Sequence, residues 1–224
     1  MDTLRGAIGP DTSVIPADGE EVFIEATANG ERSYACVLHG HTVGYRLRDA
    51  AGRLVIERAV KDGVQHGGER HWGSDGHLEF ETSYVNGLEH GLAQQWCKGL
   101  VVGSYRLEYG TGVDLWRHCT AALAEERHCQ QGDRHGFERW WTGDDVTVWQ
   151  EGHYWHGEPH GIFRAWNTHG RLCRGYPQYM IRGRRVKKRQ YLRAAAADDS
   201  LPPFRDADNA PRRPLPREYA EQCC

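Results

Sequence analysis

A fixed glycine period constrains this chain more than any other feature of its sequence. Gly40, Gly63, Gly87, Gly110, Gly132 and Gly157 are separated by 23, 24, 23, 22 and 25 residues, and Gly183 follows after another 26. Five of these units carry a second glycine four residues on, at Gly44, Gly67, Gly91, Gly136 and Gly161. The exception, Gly110-Thr111-Gly112, is a shortened form at the same phase. Self-similarity at a period of roughly 20–50 residues marks stacked supersecondary units rather than a single irregular core. The high glycine content, 27 of 224 residues, is therefore ordered rather than linker-like.

Other residues keep the register. Tyr45, Trp72, Trp96, Trp140 with Trp141, and Trp166 follow the second glycine, and Trp116 fills the slot in the fourth unit. A further glycine comes next at Gly52, Gly76, Gly99, Gly143 and Gly170, with Leu54, Leu78, Val101 and Leu172 two residues beyond four of them. Each unit reads as glycine turn, short strand ending in an aromatic, glycine turn, second strand. Period-two alternation supports the strands: Leu54, Ile56, Arg58 and Val60 in one, Leu78, Phe80, Thr82 and Tyr84 in the next, and Val101, Gly103, Tyr105, Leu107 and Tyr109 in a third. Asp62-Gly63 and Asn86-Gly87 suit two-residue hairpin turns, in which both central residues need positive φ. The expected fold is all-β, an antiparallel meander of about six stacked hairpins. The expected organisation is an N-terminal segment over 1–32, partly disordered with room for a capping strand; the repeat array over 33–193; and a disordered, Pro-rich tail over 194–224. Residues 119–129 form an insert of helix-forming composition whose periodicity does not decide between one helical turn and a continuing strand; the strand reading is preferred.

The phrases Gly63-Val-Gln-His-Gly67, Asn86-Gly-Leu-Glu-His-Gly91 and Gly157-Glu-Pro-His-Gly161, each followed by an aromatic strand, resemble the MORN-repeat variant, which in bacteria includes the YwqK family of antitoxin components. The resemblance covers about two thirds of the chain. It implies an elongated, twisted antiparallel sheet without an enclosed catalytic cleft. It also implies a binding role, as an antitoxin or immunity protein that holds a cognate toxin, or as a membrane or cytoskeletal scaffold. The sequence departs from the pattern at Gly110-Thr-Gly112 and in the 119–129 insert.

The residues themselves point the same way. No nucleophile elbow, P-loop, metalloprotease or deaminase motif occurs, so no enzymatic activity is expected. A single-layer sheet cannot bury both faces, which makes the periodic aromatics the expected binding residues: Trp72, Trp96, Trp116, Trp140, Trp141, Trp149, Trp155 and Trp166, with Trp141, Trp149 and Trp155 expected to be exposed. The structural alternative has each ring covering the glycines of the next hairpin. The basic run containing Arg182, Arg184, Arg185, Lys187, Lys188, Arg189 and Arg193 reads either as a site for an acidic surface or as a charged edge strand that discourages sheet-to-sheet aggregation.

His66, His90, His135 and His160 each precede the second glycine of a unit, a spacing too wide for one zinc ion, so they are expected as turn residues packed on a neighbouring aromatic. His118, Cys119, His128 and Cys129 lack the spacing of a paired-ligand site, and no metal or cofactor is expected. Carboxylates such as Glu79, Glu81, Asp144 and Asp145 fit solvent-facing strand or turn positions. With 28 basic and 31 acidic residues the net charge is -3, so no overall field draws the chain to nucleic acid or a membrane. A protein partner is expected, nucleic acid is not, and a membrane surface is secondary. There is no secretory h-region and no apolar stretch of about 18 residues, so the expected setting is cytoplasmic, with export lacking a classical signal as the alternative. In the cytoplasmic setting the seven cysteines are expected as free thiols.

Overall fold

In the computed structural model, which describes residues 13–217 and Tyr219, the periodic glycines are hairpin turns. His39-Gly40, Asp62-Gly63, Asn86-Gly87, Tyr109-Gly110, Gln131-Gly132, His156-Gly157 and Arg182-Gly183 all have positive φ at both residues, 46–52° at the first and 69–87° at the second. These are the conformations whose twist matches the flanking strands. The second glycine has a different task. Gly67, Gly91, Gly136 and Gly161 take φ of 103–152° within or beside the strands, where the ladder slips by a residue or breaks.

The described residues form seventeen strands, one eight-residue helix and a 3-10 turn, and every ladder between named strands is antiparallel. The expected all-β hairpin meander is what forms. The chain divides into two units, residues 1–100 and 101–224.

The first unit contains β1 (Glu20–Ala26), β2 (Arg32–Leu38), β3 (His41–Arg48), β4 (Leu54–Lys61), β5 (Val64–Trp72), β6 (Leu78–Val85), β7 (Leu88–Glu89) and β8 (Gly91–Cys97). β1 caps the meander by pairing with β2, and each later strand pairs with the one before it; β8 reaches past the two-residue β7 to β6.

The unit boundary falls at the start of β9 (Leu100–Glu108). Beyond it come β10 (Thr111–Arg117), β11 (Leu123–Gln130), β12 (Asp133–Trp141), β13 (Val148–Trp155), β14 (Glu158–Pro159), β15 (Gly161–Ala165), β16 (Gln178–Ile181), β17 (Arg184–Val186) and α1 (Lys188–Ala195). The 119–129 insert is a turn followed by β11, which pairs with β10 over Gly112–Arg117, so the array is continuous there. Successive hairpins are tied by the turn glycines: Gly132 N–H donates to the Gly110 carbonyl at 3.0 Å, Gly157 to Arg134 at 2.9 Å and Gly183 to Pro159 at 2.8 Å.

The expectation of disorder over 194–224 is corrected for the described part of that tail. Tyr191, Ile162, Tyr179 and Leu201 form a buried cluster, with Phe204, Ile181 and Val186 packed against it. Tyr191 also donates its hydroxyl to the Pro202 carbonyl at 2.6 Å. Three apolar side chains, Leu201, Phe204 and Tyr219, carry no periodicity in the sequence, yet each finds a partner on the folded sheet.

Candidate functional site

The buried centre of each unit is a row of alternating charges. In the first, Arg46, Glu57, Arg70 and Glu81 are successive cross-strand neighbours on β3 to β6. Arg46 bonds Glu57 at 3.2 Å and Arg70 bonds Glu81 at 3.0 Å. In the second, the row is Glu126, Arg139, Glu151 and Arg164 on β11, β12, β13 and β15. Arg139 bridges Glu126 at 2.9 Å and Glu151 at 2.8 Å, and Arg164 meets Glu151 at 2.8 Å. Burial pushes the Glu126 and Glu151 carboxyls up, but the surrounding donors and cations outweigh it and hold both below the usual carboxylate range: His128 and Arg139 at Glu126, Arg213 and Arg139 at Glu151. Buried charges persist only when paired in this way.

Each row lies under a terminal strap of the same unit. Ser13 hydrogen-bonds Glu57, and Ile15 N–H donates to the same carboxylate at 3.1 Å. Val14 and Ile15 fit because Gly68 and Gly44 have no side chain: a Cβ at Gly68 would stand 2.5 Å from Val14, and one at Gly44 2.3 Å from Ile15. In the second unit the strap is residues 200–217 with Tyr219. Arg213 reaches Glu151 at 3.2 Å, Tyr219 donates to Glu126 at 3.2 Å, and Trp166 Nε1 donates to the Asn209 carbonyl at 2.7 Å. Pro211 O accepts from Val148 N–H at 2.9 Å, and Thr147 bridges Arg212. Between strap and sheet is a cleft of about 290 Å³ whose walls include Arg139, Glu151, Arg164, Asp208 and Arg213.

The sequence pattern did not show these rows as sites, although a signal exists. Glu57, Arg70 and Glu81 are 13 and 11 residues apart, and Glu126, Arg139, Glu151 and Arg164 are 13, 12 and 13 apart, with signs alternating at half the glycine period. Alternation on β4 puts Leu54, Ile56, Arg58 and Val60 on one side, but Glu57 and Ala59 on the other side are buried and Arg58 is exposed. Glu81, expected to face solvent, is Arg70's partner.

The aromatics do not line one face. Within the second unit, Trp116 and Trp140 share one cross-strand row through Glu125. Trp141 and Trp166 are buried instead, Trp166 against the strap. The expected exposure of Trp141 is thus corrected, while Trp149 and Trp155 are exposed. Trp149 packs beside Trp140 with ring centroids 6.1 Å apart, and Trp155 lies 4.2 Å from the His135 ring. In the first unit Trp72 and Trp96 are half-buried. Arg182 occupies a hairpin turn, and Arg184 and Arg185 lie on β17; all three are exposed.

The histidines clamp turns. His160 Nδ1 accepts from Arg182 N–H at 3.0 Å, and His66 Nδ1 accepts from Asn86 N–H at 3.4 Å. Among the described residues no group of three or more His, Cys, Asp or Glu is arranged to hold a metal ion. His128 is engaged by Glu126 at 2.8 Å, and Cys119 is disulfide-bonded, as is Cys97. The free-thiol expectation is corrected for those two residues and holds for Cys36, Cys129 and Cys173. Among the described residues no helix is long and apolar enough to cross a membrane.

No protein-family model matches this sequence, and comparison with curated proteins gave no match either. The likeness to MORN-variant repeats rests on the motifs themselves.

Proposed function

We propose that the chain is a non-enzymatic, protein-binding repeat protein, and that its specific role is an antitoxin or immunity protein that binds and occludes a cognate toxin. The observation that carries the binding reading is on β13. Trp149 and Trp155 are 45% and 38% exposed, whereas Val148, Glu151, Gly152 and His153 of the same strand are buried. Six residues of strand separate the two rings by about 20 Å, a span that suits a protein surface better than a small ligand. Large aromatics held on a paired strand lose little conformational freedom on binding, and such residues dominate interface energetics. The exposed Arg182, Arg184 and Arg185 supply charge for an acidic rim. The toxin-binding role comes from the motif resemblance, and a cytoplasmic setting belongs to the same reading.

Co-expression with the product of the adjacent gene tests the proposal. The neighbour is expected to be toxic alone, to be neutralised by this chain and to co-purify with it. Trp149→Ala with Trp155→Ala is expected to weaken the complex at least tenfold without lowering thermal stability. A harmless neighbour that does not co-purify overturns the antitoxin role. Salt-sensitive binding to anionic vesicles by the same purified protein would instead favour a second reading, a membrane-surface or assembly scaffold using the basic 182–193 run.

A further inference from the structure

The lining of the cleft beneath the C-terminal strap of the second unit carries more cations than carboxylates, and Glu126 outside that lining offsets only Arg139. Arg139, Arg164, Arg205 and Arg213 face Glu151 and Asp208 around its wall, four cations against two carboxylates. Glu151 is already shared by three of the arginines. Arg213 spends its donors on Glu151 and on the carbonyls of Asp208, Ala210 and Arg212. Arg164 does not. Its Nη1 bonds Glu151 at 2.8 Å and its Nε bonds Asn209 at 3.3 Å, but Nη2 is buried without a hydrogen bond. The residue is only 3% exposed, so bulk water does not compensate that donor. A buried charged donor left unmatched is costly.

The closest anion to Nη2 is Asp208 Oδ2, at 4.0 Å, too far for a hydrogen bond and on a half-exposed side chain in the 3-10 turn Asp206–Asn209. Arg205, just before that turn, is exposed and makes no ion pair among the described residues. The rest of the wall is apolar, with Ile162 at the base and Pro202 and Pro203 on the strap side.

We propose that this cleft is a binding site for a small aliphatic carboxylate. The ligand's carboxylate takes the position that Asp208 only approaches, accepts from Arg164 Nη2 and is drawn in by Arg205. Its hydrocarbon arm lies against Ile162 and the two prolines. The volume of about 290 Å³ is at the lower end of small-molecule sites and too small to enclose a peptide or nucleic-acid segment. This site is independent of the protein-binding role proposed above, and its test requires no partner.

Isovalerate, acetate and inorganic phosphate would be titrated into the full-length protein, with binding read by calorimetry and by intrinsic tryptophan fluorescence, to which Trp166 contributes from beside the strap. Isovalerate is expected to bind saturably and more tightly than acetate or phosphate. Arg205→Ala is expected to weaken it about fivefold or more with an unchanged melting temperature, and Asp208→Ala to tighten it by a similar factor, because a competing carboxylate is removed. Arg164→Gln is expected to abolish binding. Because that variant also loses a bond to Glu151 and can fail to fold, the Arg205 and Asp208 variants carry the decision. No saturable isovalerate binding, an affinity unmoved by both of those variants, or phosphate binding as tightly as isovalerate would each overturn the proposal.

Discussion

At the scale of single residues, the repeated histidine is a proton-sensitive part of the structure. His160 accepts a hydrogen bond at Nδ1 from Arg182 N–H, so its Nε2 carries the proton and faces Ser200 Oγ at 3.0 Å. His153 lies beside it, with Nδ1 2.5 Å from the His160 carbonyl. Burial holds both imidazoles below their ordinary value of 6.5; Asp198 and Glu158 oppose this at His160 while Arg182 adds to it, and at His153 the hydrogen bond to the His160 carbonyl opposes it while the charges of the neighbouring His160, His135 and His128 rings add to it. The unfolded chain therefore binds more protons than the folded one just below pH 6.5, and stability rises with pH through that window. Full stability is expected above it, with progressive loss as the pH falls toward the folded-state values. Thermal unfolding at pH 5.5 is expected at least roughly 2–4 °C below that at pH 7.5. His160→Asn, which no longer titrates, is expected to flatten part of that dependence. An unchanged midpoint between the two pH values would remove the histidines from the pH response.

At the scale of elements, hairpins and straps follow different rules. A hairpin is specified locally: Asn86-Gly87 sets its own turn, and the neighbouring residues alternate. A strap is specified by what it meets. Ser13, Val14 and Ile15 have no pattern of their own, and their place is determined by Glu57 and by two glycines, Gly44 and Gly68. Gly68 does not have the positive φ of the turn glycines, so its role is close approach rather than backbone freedom. Gly68→Ala, which on strand propensity alone would be neutral or favourable, is expected to destabilise by about 1–3 kcal/mol, because its methyl takes the space of Val14. Hydrogen exchange at Ile15 N–H is expected to accelerate in this variant more than exchange in the β4–β5 ladder. Equal protection of Ile15 in both proteins would show that the strap is held by something other than this fit.

At the scale of the whole chain, the cysteines separate by chemistry. Cys97 and Cys119 are disulfide-bonded, whereas Cys129 and Cys173 are partly exposed thiols. Burial pushes the Cys36 thiol up, which makes it a slow nucleophile. Alkylation before reduction, read by peptide mass spectrometry, is expected to label Cys129 and Cys173 and to leave Cys97 and Cys119 for a second reagent added after reduction. Trapping thiols before cell lysis extends the test to the compartment. Disulfides persist in oxidising surroundings and are rare in reducing ones, so labelling of Cys97 and Cys119 without reductant would support the cytoplasmic reading, and protection would count against it.

The sequence by itself determined the class of fold, the hairpin register and the position of nearly every turn. Those features depend on φ preferences and side-chain alternation within a few residues, and the glycine period repeats the same local instruction. The 119–129 insert does not belong to that set: its composition and spacing fit a helical turn as well as a strand, and pairing of Leu123–Gln130 with β10 and β12 decides it. The exposed Trp149 and Trp155 were legible too, but the burial of Trp141 was not. Only the tertiary structure decided which face of each unit is covered. That choice depends on pairings across long stretches of chain, such as Ser13 with Glu57, Arg213 with Glu151 and Tyr219 with Glu126. An acidic or basic side chain that looks solvent-facing in a strand becomes buried once a cross-strand partner and a strap neutralise it. The cross-strand partner is one hairpin away and keeps a sequence period, whereas the strap partner lies 44 to 93 residues away.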